Sequence, residues 1–262
     1  MIDIHSHILP GLDDGSKSWD MTLKMCRMAI EDGITHIVAT PHADDTYAYS
    51  RDRVREVVAE LDTKIGDQLS FSIGCDFHLS FENVEDAIEH PQRYTIAAKQ
   101  YLLVELSDYG IPPQVTASLL KLQAAGMTPI ITHPERNANL QRRPERVLEW
   151  VEQGCLIQVT ASAITGSWGD TTCRIALWLL EHDAVHVLAS DAHDDARRKP
   201  KLSEARDAIS KRFGAHVAWA LVLDNPAAIV AGLPLAIGRQ SPRRDLEVME
   251  RPKHGARNYS AS

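Results

Sequence analysis

Apolar positions along the chain alternate between two patterns: short runs of aliphatic and β-branched residues, and longer stretches with apolar positions three and four apart. The first run is Met1-Ile2-Asp3-Ile4, which reads as a strand. Ser18 then predicts the N-cap of a helix to Asp32, with Met21, Met25, Met28 and Ala29 near one face and Gly33 as its stop. Residues 34–40 read as a second strand, ending in Pro41-His42. Residues 51–65 read as a charged helix whose buried stripe is Val54, Val57, Val58 and Leu61. A third strand over 69–74 runs into Cys75-Asp76, followed by a short helix over 83–89. The fourth strand covers 101–105, and Pro112-Pro113 opens a helix that Gly126 closes. Residues 128–132 form the fifth strand and lead into His133-Pro134-Glu135-Arg136. A helix over 144–152, stopped by Gly154, precedes the sixth strand at 156–160. The helix over 171–181 carries Ile175, Trp178 and Leu179, and the seventh strand at 185–189 ends in Ser190-Asp191-Ala192-His193. Helices over 202–213 and 216–223 follow.

Strands joined by helical crossovers predict an α/β fold with a parallel sheet. Closed on itself, that sheet is a seven-stranded (β/α)7 TIM-like barrel, one strand short of the eight-stranded type. From Arg239 the composition turns to Arg, Pro, Ser, Gly and Asn with little apolar content. The expected organisation is one domain over residues 1–238 and a flexible tail over 239–262.

Composition narrows the class. A net charge of −8 lacks the basic footprint of a general nucleic-acid binder. There is no apolar run of about 18 residues and no basic-then-apolar N-terminus, so no membrane insertion and a cytoplasmic location are expected. Cys26, Cys75, Cys155 and Cys173 are scattered without Cys-x-x-Cys spacing, which predicts reduced thiols rather than a disulfide frame or zinc knuckle. None has an Arg six positions on, where a Cys-dependent phosphatase needs one; Asp32, Phe81, Ala161 and Leu179 stand there instead.

The strand ends carry the chemistry. In a strand, residues two apart share a side at about 6.5 Å, so His5 and His7 can converge on one ion that takes imidazole nitrogens at about 2.0–2.1 Å. Alone, such a pair is better read as a surface feature. Here His42 follows strand two, Asp76 strand three, Glu105 ends strand four, His133 follows strand five, and Asp191 and His193 follow strand seven. Asp14 joins them from the first loop, where Pro-Gly and Asp-Asp-Gly turn the chain back. In β/α barrels these ends open on one face. Nine donors exceed the needs of one ion and imply two or three divalent ions, some sharing a carboxylate. Imidazole and carboxylate without thiolate suit manganese, iron or zinc. Four carboxylates against three divalent ions, about −4 against +6, would leave an electropositive pocket.

Arg136, three residues after His133, and Arg198, five after His193, lie on the same rim. Guanidinium forks match phosphoryl oxygens, so metal ions beside arginines point to a phosphoester substrate and a metal-activated water. Each arginine reads alternatively as a surface ion-pair partner, and Arg197 and Lys199 flank Arg198. Tyr47 and Tyr49, in the loop after His42, either flank the substrate ring or have no part in the site.

The segments 1–15, Ala39-Thr40-Pro41-His42, Thr132-His133-Pro134-Glu135-Arg136 and Ser190-Asp191-Ala192-His193 resemble the polymerase and histidinol phosphatase (PHP) superfamily. The resemblance, over about residues 1–235, is to its branch of bacterial metal-dependent protein-tyrosine phosphatases from capsule and exopolysaccharide systems. It implies a distorted seven-stranded barrel with a trinuclear, usually manganese, site. His5, His7, Asp76 and Asp191 would hold one ion, Asp14, His42 and His193 a second, and Glu105, His133 and a bridging Asp76 the third. Arg136 and Arg198 would grip the phosphoryl group, and the implied partner is the tyrosine-rich tail of a bacterial tyrosine autokinase. The family carries Glu after strand three, whereas this chain has Gly74-Cys75-Asp76-Phe77-His78. Asp is one methylene shorter; His78 shares its strand parity and either compensates or is solvated.

Three competing readings share parts of this pattern. A histidinol-phosphate or other small-molecule phosphatase would use every ligand. A metal-dependent amidohydrolase also uses His-x-His on a barrel rim, but Asp191-x-His193 and the arginines argue against it. A non-catalytic regulatory module is the third, left open by Asp76.

Overall fold

The computed structural model describes residues 1–235; the expected tail over 239–262 lies outside them. Among the described residues there are nine strands: β1 Ile2–Ser6, β2 His36–Ala39, β3 His42–Ala43, β4 Ser70–Ile73, β5 Asp76–His78, β6 Tyr101–Glu105, β7 Thr128–Thr132, β8 Leu156–Thr160 and β9 Val187–Ala189. All pair in parallel, in a three-stranded sheet β1-β2-β4 and a six-stranded sheet β3-β5-β6-β7-β8-β9. A bridge from Ser6 to Ala192 ties the first sheet to the far edge of the second.

The count differs from the expected seven because the second and third strands each break in two. Between β2 and β3 lies Thr40-Pro41, and proline has no N–H for the ladder. Between β4 and β5 lies Gly74-Cys75. There the Gly74 carbonyl accepts from the Tyr49 hydroxyl at 3.0 Å. A Cβ on Gly74 would stand 3.2–3.3 Å from Ile96, Val38 and Thr40, so the chain passes close to its neighbours. Both breaks fall just below the strand ends that carry His42 and Asp76.

The helices form as their periodicity predicts. Trp19–Glu31 is capped by the Ser18 side chain and buries Met25, Cys26 and Ala29; Arg51–Ile65 buries Val54, Val57, Val58 and Leu61. The expected helix over 216–223 instead divides into Ala215–Trp219 and a π-helical segment Ala220–Asp224, which runs on into Asn225–Ala231. Pro112-Pro113 precede their helix, which spans Val115–Ala124.

Two apolar clusters result. The larger lies between the sheets and the surrounding helices. The smaller lies inside, where Ile4, Val38, Leu103, Ile130, Leu156 and Val187 each come from a different strand. Along β6, Tyr101 and Leu103 belong to that inner cluster and Glu105 continues their side, so polar residues at the strand ends cap an apolar plug. Among the described residues, no helix is long and apolar enough to cross a membrane.

Candidate metal centre

The geometry starts from an irregularity in β1. Ile2 and Asp3 pair with His36 and Ile37, but Ser6 pairs with Ala39, so β1 carries one extra residue: a β-bulge. Ile2 and Ile4 pack with the inner cluster, and beyond the bulge His5 and His7 turn toward the same interior. Their Nε2 atoms meet at 3.2 Å. Gly15 permits the return of the first loop, since a Cβ there would fall 2.1 Å from the His7 carbonyl oxygen. That return brings Asp14 over the site.

All nine sequence-predicted donors converge. His5 Nε2 lies 3.4 Å from Asp76 Oδ2 and 3.5 Å from Asp191 Oδ1, and His7 Nε2 is also 3.5 Å from Asp191 Oδ1. Asp14 Oδ1 lies 3.3 Å from His42 Nε2 and 3.2 Å from His193 Nε2. On its other side, His42 Nδ1 is 3.5 Å from both Asp76 Oδ2 and Glu105 Oε2, while His133 Nε2 is 3.7 Å from Glu105 Oε1. Two donors about 2.1 Å from one ion, at tetrahedral or octahedral angles, stand roughly 3.0–3.4 Å apart. The donor separations, 3.2–3.7 Å, begin within that range and slightly exceed it. Three groups are compact enough to share an ion: His7, Asp14, His42 and His193; His5, His7 and Asp76; and His42, Asp76 and Glu105. His42 belongs to two of these groups, and His133 adjoins the third through Glu105.

Both oxygens of Asp76, Nδ1 of His42 and Nε2 of His193 are buried without a hydrogen-bond partner. Burying unpaired polar atoms costs about 1–3 kcal/mol each, so a cluster of them facing one another fits a cation. The outer nitrogens are tied back. His5 Nδ1 pairs with Gln158 Oε1 at 2.9 Å, His7 Nδ1 with Asp13 Oδ2 at 2.6 Å, and His193 Nδ1 with the Asp191 carbonyl at 3.0 Å. Acceptors at Nδ1 assign the proton there and leave each Nε2 lone pair facing inward, the tautomer a metal requires.

Electrostatics agree. Burial lowers the His5 pKa, but the Asp76 and Asp191 carboxylates outweigh it and lift it to about 9. For His42, burial is likewise overcome, by Asp14, Asp76 and Glu105, to about 10. Glu105 is pushed up to about 8 by burial and by the Asp76 charge. The carboxylates demand positive charge at their centre, which divalent ions supply. His133 at φ 33° and Asp191 at φ 51° occupy the left-handed region, uncommon for residues with a side chain and frequent at functional sites.

Arg136 and Arg198 reach this rim and converge on one atom. Arg136 Nη1 and Arg198 Nη2 both donate to Asp191 Oδ2, the latter at 2.5 Å. The Trp168 indole covers them, 4.0 Å from the Arg136 guanidinium carbon and 5.6 Å from that of Arg198.

The family of capsular polysaccharide synthesis proteins CpsB/CapC matches residues 1–231. The chain belongs to this family. It is 31% identical to the tyrosine-protein phosphatase YwqE of Bacillus subtilis (strain 168) over 225 residues, 84% of this chain and 88% of that protein. It is 31% identical to the tyrosine-protein phosphatase CpsB of Streptococcus pneumoniae over 243 residues, 88% of this chain and 98% of that protein. A chain from the crystal structures of YwqE and CpsB, described as metal-dependent tyrosine phosphatases, superposes with a TM-score of 0.84 at 30% identity, covering 90% of this chain and 96% of that one.

Within this CpsB/CapC chain some readings change. Tyr49 does not flank the site: it is buried, donates to Gly74 and stacks on Tyr94 with ring centres 5.7 Å apart. Tyr47 does lie there, stacked on the His42 ring at 6.0 Å. His78 is in none of the three donor groups. Asp76, though shorter than Glu, places its Oδ2 3.4 Å from His5 Nε2 and 3.5 Å from His42 Nδ1. The four cysteines are free, and burial pushes the Cys26 and Cys155 thiols up to about 12, far from a nucleophile. Sequence reasoning missed Asp13, Gln158 and Trp168. Gln158 had a signal, a lone amide inside Leu-Ile-Gln-Val-Thr, where an apolar residue would otherwise stand.

Proposed function

We propose that this chain hydrolyses phosphotyrosine in proteins, using divalent ions held by His5, His7, Asp14, His42, Asp76, Glu105, His133, Asp191 and His193. The observation that carries the reading is a buried ring of partnerless imidazole and carboxylate atoms beside two guanidiniums. Its relatives' names, tyrosine-protein phosphatase, support the substrate class. We assign three ions, manganese before iron or zinc, and a bacterial tyrosine autokinase of a capsule or exopolysaccharide system as the phosphoprotein partner. The four free thiols fit a reducing compartment, and we place the activity in the cytoplasm. We read the nine strand segments as seven staves of a distorted barrel, within a single domain over residues 1–238.

Divalent ions supply Lewis acidity and a water of lowered pKa. The protein does the rest. Arg136 and Arg198 offer guanidinium forks to the phosphoryl oxygens, which compete with Asp191 Oδ2 for them. Trp168 holds both guanidiniums against an aromatic face, restricting where the phosphate sits. The leaving phenolate has a parent pKa near 10, so its departure demands no general acid, and none is assigned.

The test is manganese-loaded protein given a phosphotyrosine peptide and histidinol phosphate in parallel, with His193→Ala and Asp76→Asn as controls. Preference for the peptide, lost with metal content in both variants, supports the reading. Preference for the alkyl phosphate, or variants equal to wild type in metal and rate, refutes it.

A further inference from the structure

A second feature adjoins the arginine pair. A groove of about 230 Å³ opens between the short helix Ala161–Ile164 with the segment after it and the loop after β9, lined by Ser162, Thr165, Ser167, Arg197, Lys199 and Lys201. Its one acidic lining residue, Glu204, faces Lys201 at 3.5 Å. The groove is therefore net positive on a chain whose formal charge is −8.

Its connection to the site is covalent and by contact. Arg197 and Lys199 bracket Arg198, and Trp168, which covers both rim arginines, donates from Nε1 to Ser162 Oγ at 2.9 Å. The basic loop is ordered from within: Asp194 Oδ1 accepts from the backbone N–H groups of Ala196, Arg197 and Arg198. The His193 N–H donates to the Arg198 carbonyl at 2.8 Å. The position of these cations is thus tied to that of the donor cluster.

We propose that this groove receives a carboxylate side chain of the substrate polypeptide, giving the enzyme a preference for phosphotyrosines with Asp or Glu nearby. The inference rests on the phosphotyrosine reading above. An extended peptide advances about 3.3 Å per residue, so a side chain roughly two to four positions from the phosphotyrosine reaches past Trp168. The ammonium groups of Lys199 and Lys201 and the Arg197 guanidinium are exposed, so each contributes modestly and together they act on selectivity. The serine and threonine hydroxyls add donors suited to carboxylate oxygens. The arrangement also disfavours Lys- or Arg-flanked sites by like-charge contact.

The experiment uses manganese-loaded full-length protein and three phosphotyrosine peptides of equal length, flanked by Glu, Ala or Lys. The expected result is a kcat/KM about tenfold higher for the Glu-flanked than the Lys-flanked peptide, carried by KM. In Lys199→Glu/Lys201→Glu the order should reverse, a gain that misfolding cannot produce. Equal wild-type turnover of the three peptides, or an order unchanged in the double variant, overturns the groove while leaving phosphotyrosine hydrolysis standing. Hydrolysis of histidinol phosphate without hydrolysis of any peptide overturns the phosphotyrosine reading itself, and the groove with it.

Discussion

Asp13 Oδ2 lies 2.6 Å from Nδ1 of His7, and the same carboxylate gathers the whole first loop. Its Oδ2 also accepts from the His42 N–H at 3.1 Å, and its Oδ1 from the Gly15 N–H at 2.9 Å. Asp13 is thus a positioning residue: it fixes the tautomer of His7 and sets the height of the His42 strand against it. Burial works against its charge, yet His7 and the backbone donors hold its pKa below the usual carboxylate range.

Asp13→Ala is therefore expected to weaken manganese binding by about 10–100-fold, the usual effect of losing a carboxylate behind a ligating histidine. Titration calorimetry on chelator-stripped protein checks this. Asp13→Asn keeps an acceptor for His7 and should recover part of the loss. A fall in melting temperature with unchanged manganese affinity would mark Asp13 as merely structural.

Gly15 has no freedom to change. With a Cβ 2.1 Å from the His7 carbonyl oxygen and 2.4 Å from the His7 Cβ, backbone and ligand must both move. Misplacing a reacting group by about 1 Å costs on the order of 10²-fold. Gly15→Ala should lower kcat/KM by about that factor while circular dichroism stays native, because the loop over residues 9–16 lies outside the strands. Activity within twofold of wild type would show that Asp14 and His7 are not held by this turn.

Much of the site was legible because strand period and strand ends are local properties. His5, His42, Asp76, Glu105, His133 and Asp191 follow from where apolar runs stop. What was not legible depends on how distant pieces meet. The bulge in β1 shows itself only in the pairing of Ser6 with Ala39. The break before Asp76 arises from packing at Gly74, and Tyr49, read from its loop, is drawn inward by the Gly74 carbonyl. The pairing of Arg136 with Asp191 spans 55 residues, which no spacing rule anticipates. Asp13 was hidden by its neighbour, since Asp-Asp-Gly offers two carboxylates and turn geometry decides which faces His7.

Metal removal should be visible in stability as well as rate. Asp14, Asp76 and Glu105 each belong to a compact donor group and Asp191 lies 3.5 Å from His5, and a cation bound to the native state alone stabilises it by about 2.7 kcal/mol at 100 times Kd. For a chain of this length about 2–4 °C accompanies each kcal/mol, so manganese should raise the melting temperature of stripped protein by roughly 5–10 °C. Scanning fluorimetry with chelator, then with added manganese, makes the comparison. In His193→Ala the increment should shrink; an equal increment would place the bound ion elsewhere.

A pH dependence should arise at the opposite end of β9 from Asp191 and His193. His186, just before β9, accepts the Ile157 N–H on Nδ1 at 3.2 Å, and burial lowers its pKa to about 4. Its ordinary value in the unfolded chain is about 6.5. The native state therefore keeps His186 neutral while the unfolded chain takes up a proton as pH falls. Its contribution is intact above pH 6.5, erodes between about 6.5 and 4, and levels off below. Each unit is worth about 1.36 kcal/mol, and partial solvent access brings the total to roughly 2–3 kcal/mol. Urea midpoints of chelator-treated wild type and His186→Gln, taken from pH 7.5 to 4, isolate the effect by difference, since the other histidines are common to both. Wild type should lose more stability than the variant over that window. Parallel curves would mean that His186 accepts a proton in the folded protein at no cost.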